Sequence, residues 1–259
     1  MSTQPQTALI TGASAGIGRE LARLFAADHY NLVLVARTGP RLAQFADELQ
    51  HEFGITAKSF PLDLTAASSL QFLFDQLARE NIAVEVLVNN AGYGMRGAFA
   101  EIPTDESLGQ IQLNITALTH LTKLFLRPMI ERRSGKILNV ASTAGFQPGP
   151  LMAVYYATKA YVISFSEALA NELQGTGLTV TCLCPGPTDT EFQGRAGTED
   201  SLLKRLRPMT AKAVARDGYR GLMKGKPLVI SGFRNWLLAE SLRISPRRVV
   251  TAVSRKILE

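Results

Sequence analysis

Thr11-Gly12-Ala13-Ser14-Ala15-Gly16-Ile17-Gly18 follows a short apolar run, Ala8 to Ile10, and opens an amphipathic stretch that continues from Ile17 to Ala27. The order is strand, glycine turn, helix. In that setting Gly12 permits a tight turn, Gly16 lets a pyrophosphate approach the backbone, and Gly18 lets helix and strand pack closely. The helix N-terminus adds amide donors and a favourable dipole, which is the arrangement that binds phosphate. The spacing is not GxGxxG, and a plain strand-to-helix connection is the competing reading.

Outward from this turn, apolar or β-branched runs recur at Leu32 to Val35, Ala57 to Pro61, Val84 to Asn89, Lys136 to Ala141, Leu178 to Leu183 and Pro227 to Ser231. Between them, Arg41 to His51, Ala66 to Glu80 and Gln110 to Arg132 carry apolar residues at helical spacing, and another helix runs from Tyr155 to about Leu173. Strands alternating with helices predict an α/β fold, a parallel sheet covered on both faces. No linker, composition shift or repeat divides residues 1–259, which read as one nucleotide-binding domain. The stretch Pro185 to Lys226, rich in Gly, Pro, Thr and charge, breaks the rhythm. It reads either as a substrate flap over about 187–226 or as a surface excursion with short helices.

Composition excludes several classes. With 46% hydrophobic and 19% charged residues, the 259-residue chain is neither disordered nor fibrous and is long enough for a continuous core. Cys182 and Cys184 stand two apart on a strand, where a disulfide would be strained, so they read as reduced core residues. His29, His51 and His120 are scattered, and no metal site is expected. No run is long enough to span a bilayer and no signal-peptide pattern opens the chain, so a cytoplasmic location is expected. The net charge of +6 is not gathered into an aromatic-interleaved patch, and no nucleic-acid partner is expected. Much of the excess lies in a basic segment at about 232–259, where Arg234, Arg243, Arg247, Arg248, Arg255 and Lys256 face only Glu240 and Glu259. Membrane-surface attachment through Trp236, Leu237, Leu238 and this tail is one reading. Pro246 interrupts the segment, which favours a solvated or subunit-contacting helix instead.

The second strand ends Val35-Ala36-Arg37. At this place an acidic residue would bind a free ribose 2′-hydroxyl, whereas an arginine fork suits a 2′-phosphate. Arg37, with Ser14 as a second contact, therefore points to NADP(H) rather than NAD(H). The alternative is an ordinary exposed arginine at a strand end. The chemistry lies in Tyr155-Tyr156-Ala157-Thr158-Lys159, where positions 155 and 159 share one helix face. Lowering a tyrosine from about 10 to near 7 takes about 4 kcal/mol. A lysine about 4 to 5 Å away supplies roughly 3 to 4 kcal/mol at an effective dielectric of about 20. Such pairs are common on exposed helices, so the pair alone decides little.

The glycine turn, Asn89-Asn90-Ala91-Gly92, Ser142 thirteen positions before Tyr155, Lys159 and Pro185-Gly186 together resemble the classical short-chain dehydrogenase/reductase family, over nearly the whole chain from Thr7 to about Gly232. The resemblance implies a Rossmann-type, doubly wound, seven-stranded parallel sheet and an NADP(H)-preferring oxidoreductase that interconverts a carbonyl and an alcohol. Many relatives of that type carry a basic residue where this chain has Ala15, so the cofactor expectation rests chiefly on Arg37. By position, Tyr155 would protonate the substrate oxygen, Ser142 would hydrogen-bond it, Lys159 would tune Tyr155 and hold the ribose, and Asn114 would bind a proton-relay water. Cofactor contacts would come from Gly12, Ser14, Gly16, Ile17, Gly18, Arg37, Asp63, Leu64, Asn89, Ala91, Gly92, Tyr155, Lys159, Pro185, Gly186, Thr188 and Thr190. Asp63 also reads as a plain helix cap. Tyr156 is assigned to packing, because its spacings to Lys159 and Ser142 do not fit.

The substrate would lie among Tyr93, Met95, Phe146, Met152 and Phe192, apolar residues that suit a lipophilic ketone or aldehyde, or that serve as ordinary packing. A homodimer or homotetramer formed through the Tyr155 helix is expected from the resemblance. A nucleotide-binding regulatory or scaffold protein with the same fold and little turnover is the rival reading.

Overall fold

The structure is a computed structural model and describes residues 5–198 and 208–259. Seven parallel strands form one sheet in the order β3-β2-β1-β4-β5-β6-β9: β1 (Thr7–Thr11), β2 (Asn31–Ala36), β3 (Ala57–Pro61), β4 (Val86–Asn89), β5 (Gly135–Val140), β6 (Leu178–Cys184) and β9 (Leu228–Ile230). Two short strands, β7 (Thr188–Asp189) and β8 (Met209–Thr210), pair beside it. The helices are α1 (Gly16–Ala27), α2 (Gly39–Phe53), α3 (Ala67–Arg79), α4 (Thr104–Ile111), α5 (Leu118–Arg132), α6 (Ala153–Glu172), α7 (Phe192–Ala196), α8 (Ala211–Met223), α9 (Phe233–Ser241) and α10 (Arg247–Leu258). The expected doubly wound sheet is the one found.

Side-chain alternation along the strands builds two cores. Ala8 and Ile10 of β1 point to one face, where Leu21 and Phe25 of α1, Leu42 and Phe45 of α2, and Val214 and Leu222 of α8 cover them. Leu9 points to the other face and meets Leu70 and Leu73 of α3, Leu121 and Phe125 of α5, and Leu169 of α6. A fully buried side chain of this kind contributes roughly 1.5–3 kcal/mol, so the sandwich is held from both sides. β1 pairs with β2 on one flank and β4 on the other, Leu9 opposite Val33 and Leu87. The chain direction through the sheet reverses between β1 and β4, and the crevice that this reversal opens at the carboxyl ends of the strands is where ligands bind in such sheets.

Two elements differ from the sequence expectation. Residues 211–223, counted with the flap on composition, form α8, whose buried Val214, Ala215, Gly218, Gly221 and Leu222 lie flat on the sheet. Its glycines allow that close contact: a Cβ at Gly218 would stand 2.6 Å from Leu183, and one at Gly221 would stand 2.3 Å from Val229. Of the stretch 187–226 expected as a flap or an excursion with short helices, residues 199–207 lie outside the described residues. Second, the helix expected over Gln110 to Arg132 starts earlier, at Thr104, and Gln112–Ala117 forms a π-helical turn between α4 and α5. The wider turn carries Asn114 into the interior. Cys182 and Cys184 are free and buried, as expected. No described helix is long and apolar enough to cross a membrane.

Candidate active site

At the carboxyl ends of β1 and β4 the backbone is tied before any ligand is considered. Thr11 Oγ1 accepts hydrogen bonds from Asn90 N at 2.9 Å and Ala91 N at 3.0 Å, and Asn90 Nδ2 donates to Thr11 O at 2.9 Å. Gly12 has φ of +65°, a left-handed conformation that side chains disfavour. Gly18 is required by space: a Cβ there would sit 2.3 Å from Gly12 O. The close helix-to-strand packing expected of Gly18 is thus explicit, and it holds the N-terminus of α1 at the mouth of the crevice.

One continuous cleft of about 1400 Å³ runs from that helix end across the sheet. Its volume exceeds the usual 300–1,000 Å³ of a small-ligand pocket, leaving room for a dinucleotide and a second molecule. Gly12, Ser14, Gly16, Ile17, Arg37, Asp63, Leu64, Ala91, Gly92, Pro185, Gly186, Thr188 and Thr190 all line it. Arg37 is exposed at the end of β2 and has no ion pair within the described residues. Asp63 is not the cap of α3, whose N-cap is Ala66 without a side-chain bond; it closes a local turn with Thr65 instead. It faces the cleft, while its Oδ1 accepts from Thr65 N at 2.9 Å and Thr65 Oγ1 at 2.8 Å; these bonds, led by the backbone one, hold its carboxyl below the ordinary value. Gly18 and Asn89 do not line the cleft. Gly18 lies buried beneath it. Asn89 is buried too, and its Nδ2 donates to Thr122 Oγ1 at 3.0 Å and Asn139 Oδ1 at 2.9 Å, which ties β4 to α5 and β5 under the sheet centre.

At the far end of the cleft, β5 delivers Ser142 and α6 delivers Tyr155 and Lys159. Ser142 Oγ donates to Pro185 O at 3.3 Å, accepts from Ala144 N at 3.1 Å, and is the hydrogen-bond neighbour of the Tyr155 hydroxyl. Burial pushes the Tyr155 phenol well above its ordinary value, and the Ser142 bond pulls against it. Lys159 Nζ donates to Val140 O at 2.8 Å and stands 5.8 Å from the Tyr155 ring centre. Burial pushes Lys159 down to about 8, with Cys182 and Cys184 beneath it acting weakly the other way. In the protein without cofactor, desolvation of the phenolate dominates Tyr155, and the same burial disfavours the charge of Lys159.

Asn114 is buried and its side chain is held by two other elements. Its Nδ2 donates to Tyr93 O at 2.9 Å and to Thr158 Oγ1 at 3.0 Å, and its Oδ1 accepts from Tyr93 N at 3.1 Å. Thr158 Oγ1 in turn donates to Tyr155 O at 2.7 Å. The amide therefore locks the loop after β4 to α6 rather than reaching into the cleft, although a Cβ on Gly92 would stand only 3.0 Å from Asn114 Oδ1 and 3.4 Å from Lys159 Nζ.

Of the expected substrate residues, Tyr93, Met95, Met152 and Phe192 line the cleft. Phe192 lies 5.3 Å from Tyr155, ring to ring. Phe146 is a correction: the 3₁₀ turn Thr143–Phe146 carries it under the wall, where it packs on the core cluster of Ala141, Val162 and Ile163. Tyr156 packs as expected, clustered with Met152 and Leu258, but also borders the cleft.

Sequence reasoning missed two arginines. Arg41 of α2 pairs with Glu191 at 2.7 Å, joining the two banks of the cleft. Arg96 donates to Gly197 O at 3.2 Å, to Glu259 O at 2.7 Å and to Leu258 O, and so fastens the end of α10 to the end of α7. Both contacts join residues at least 100 positions apart, and no local pattern announces them.

Residues 6–201 match the profile of the family described as short chain dehydrogenase. The chain belongs to the short-chain dehydrogenase family. Among solved structures, a short-chain dehydrogenase from Sphingobium yanoikuyae in complex with NADPH is 33% identical with a TM-score of 0.83, covering 92% of this chain and 94% of that one. The bulky-bulky ketone specific alcohol dehydrogenase from Comamonas testosteroni is 31% identical with a TM-score of 0.79, covering 94% and 93%. The ketoacyl reductase HetN of Nostoc sp. is 37% identical over 181 residues, 70% of this chain and 63% of that protein, so the chain spans less than two thirds of this relative's length. As a family member, the short-chain dehydrogenase described here is an oxidoreductase of the CH–OH/C=O type.

Proposed function

We propose that the protein is an NADP(H)-dependent reductase of a lipophilic ketone or aldehyde, with Tyr155 as the proton donor. The observation that carries this reading is the meeting of Tyr155, Ser142 and Lys159 at one end of a cleft whose other end is the glycine turn and helix N-terminus. The residues fit a nicotinamide dinucleotide. The cradle at Gly12 and Gly16 leaves the backbone bare for a pyrophosphate, and Arg37, with Ser14 nearby in the lining, offers donors for a 2′-phosphate. When bound, the nicotinamide supplies or accepts the hydride.

The chain's own residues handle the proton. Ser142 Oγ holds the substrate oxygen beside the Tyr155 hydroxyl, and Tyr155 gives its proton to that oxygen as negative charge develops there. A phenol raised by burial is protonated at neutral pH, which suits the reducing direction. Lys159, held by Val140 O and shifted to about 8, is poised to return a proton to Tyr155. Asn114 is a positioning residue that keeps α6 and the Tyr93 loop in register. Tyr93, Met152 and Phe192 supply an apolar bed for the substrate. Exposed Leu108, Ile111 and Tyr161 on α4 and α6 supply a face for a homodimer or homotetramer. The buried free cysteines suit the reducing cytoplasm.

A panel of ketones and aldehydes assayed with NADPH and NADH, beside Tyr155→Phe and Tyr156→Phe, tests the proposal. Turnover with NADPH, lost in Tyr155→Phe and kept in Tyr156→Phe, is expected. Tight NADPH binding without reduction of any carbonyl would favour a regulatory protein instead, and faster turnover with NADH would remove the role given to Arg37.

A further inference from the structure

An amphipathic surface helix turns one apolar stripe to the core and a polar face to water. α9 and α10 depart from this pattern. Their inner sides dock on the body through Ala239, Val250, Ser254 and Leu258. Their outer sides are apolar as well. Phe233, Trp236 and Leu237, spaced i, i+3 and i+4 on α9, are 74%, 45% and 55% exposed, and the Phe233 and Trp236 rings stack at 5.7 Å. Ile244, in the bend before Pro246, is 88% exposed, and Val249 and Val253 form a second exposed pair on α10. Pro246, which argued against a membrane role in the sequence, is the N-cap of α10, so the break joins two helices rather than ending one.

Cations are interleaved with these side chains. Arg243 pairs with Glu240 and Arg255 with Glu259, whereas Arg234, Arg247, Arg248 and Lys256 are exposed and without an ion pair among the described residues. We propose that α9, α10 and the bend between them form a docking surface for an anionic phospholipid bilayer. Protein–protein interfaces concentrate apolar residues in a core depleted of charge. Here Arg243 precedes Ile244 and Arg248 precedes Val249, an order that lets apolar side chains enter the acyl boundary while guanidinium groups stay among headgroups. A tryptophan at such a boundary sits where its amphipathic ring is favoured. A second copy of the chain is a poorer occupant, because a two-fold contact would set this cationic segment against itself. The inner edge of α9, through Asn235 and Leu238, lines the active-site cleft, so docking would bring the cleft toward the lipid.

Trp236 is the sole tryptophan of the chain and reports its own surroundings. The full-length protein is mixed with vesicles of phosphatidylcholine alone, or of phosphatidylcholine with phosphatidylglycerol, and followed by tryptophan emission and flotation. Expected are a blue shift and flotation with the anionic vesicles, weakened by salt, and neither with phosphatidylcholine alone. Leu237→Ser with Ile244→Ser, which leaves Trp236, its stacked Phe233 and the core in place, should abolish the shift without changing the circular dichroism. Arg247→Ala with Arg248→Ala should weaken binding roughly 25-fold, at about fivefold per cation. The proposal is overturned if the protein stays in the supernatant with both vesicles. It is equally overturned if free Trp236 already emits as a buried indole and the serine variant converts a dimer to a monomer.

Discussion

Replacing Lys159 by Met should stabilise the fold while abolishing turnover. Lys159 is buried, and desolvation lowers it from its ordinary 10.5 to about 8. At about 1.36 kcal/mol per pH unit, that gap corresponds to about 3 kcal/mol. The unfolded chain keeps this proton up to about pH 10.5 and the folded chain releases it near pH 8, so between the two values the unfolded state binds more protons and stability rises with pH. Below pH 8 the folded protein carries the whole penalty; above about 10.5 it carries none. Methionine removes the charge but leaves Val140 O without its donor, a loss of about 1 kcal/mol. Lys159→Met should therefore be about 2 kcal/mol more stable than the parent at pH 7, or roughly 4–8 °C in Tm for a chain of this size. It should be about 1 kcal/mol less stable in strong alkali, with the two curves crossing between pH 8 and 10.5. Urea denaturation of both proteins across this range measures the difference directly, and titrations common to both cancel. A variant already less stable at pH 7, or an advantage that does not shrink as pH rises through 8, would refute the reasoning.

Two shorter predictions follow from the arginines of the cleft. Arg37→Ala should raise the Kd for NADPH about tenfold, or about 1.4 kcal/mol, and leave NADH unchanged, as read by fluorescence titration of each nucleotide; equal losses for both would show that Arg37 does not meet a 2′-phosphate. Arg96→Ala removes three hydrogen bonds to main-chain oxygens but lies near the surface, so global stability should fall by only about 1–2 kcal/mol. Hydrogen exchange should meanwhile quicken selectively in α10, and an unchanged α10 would dismiss Arg96 as its fastening.

Periodicity and punctuation are local properties, and they were enough to place the strands, the glycine turn, α1 and the Tyr155 helix. Parallel pairing follows from them, because a strand returning after a helix has few other ways to bury both its faces. Resemblance then located Ser142, Tyr155 and Lys159, which the fold brings together. Boundaries failed where a helix departed from its regular period. Nothing in Leu113-Asn114-Ile115 announces a π-helical turn, since the extra residue per turn is stabilised by the contacts of Asn114 with Tyr93 and Thr158 on other elements. The reading of α8's stretch stayed open between a flap and an excursion with short helices, because its glycines signal close packing only once Leu183 and Val229 stand against them.

By itself the sequence determined the alternation of strands and helices and on which elements the candidate residues sit, because spacing along a helix or strand is set within a few residues. Tertiary structure alone decided how those residues behave. Burial raises the phenol of Tyr155, the side chain of Asn114 ties a loop to α6, the amide of Asn89 ties β4 to its neighbours, and Phe146 packs on the core rather than lining the cleft. Each outcome depends on burial and on partners distant in the chain, and the energies of desolvation and long-range hydrogen bonds are absent from any local pattern.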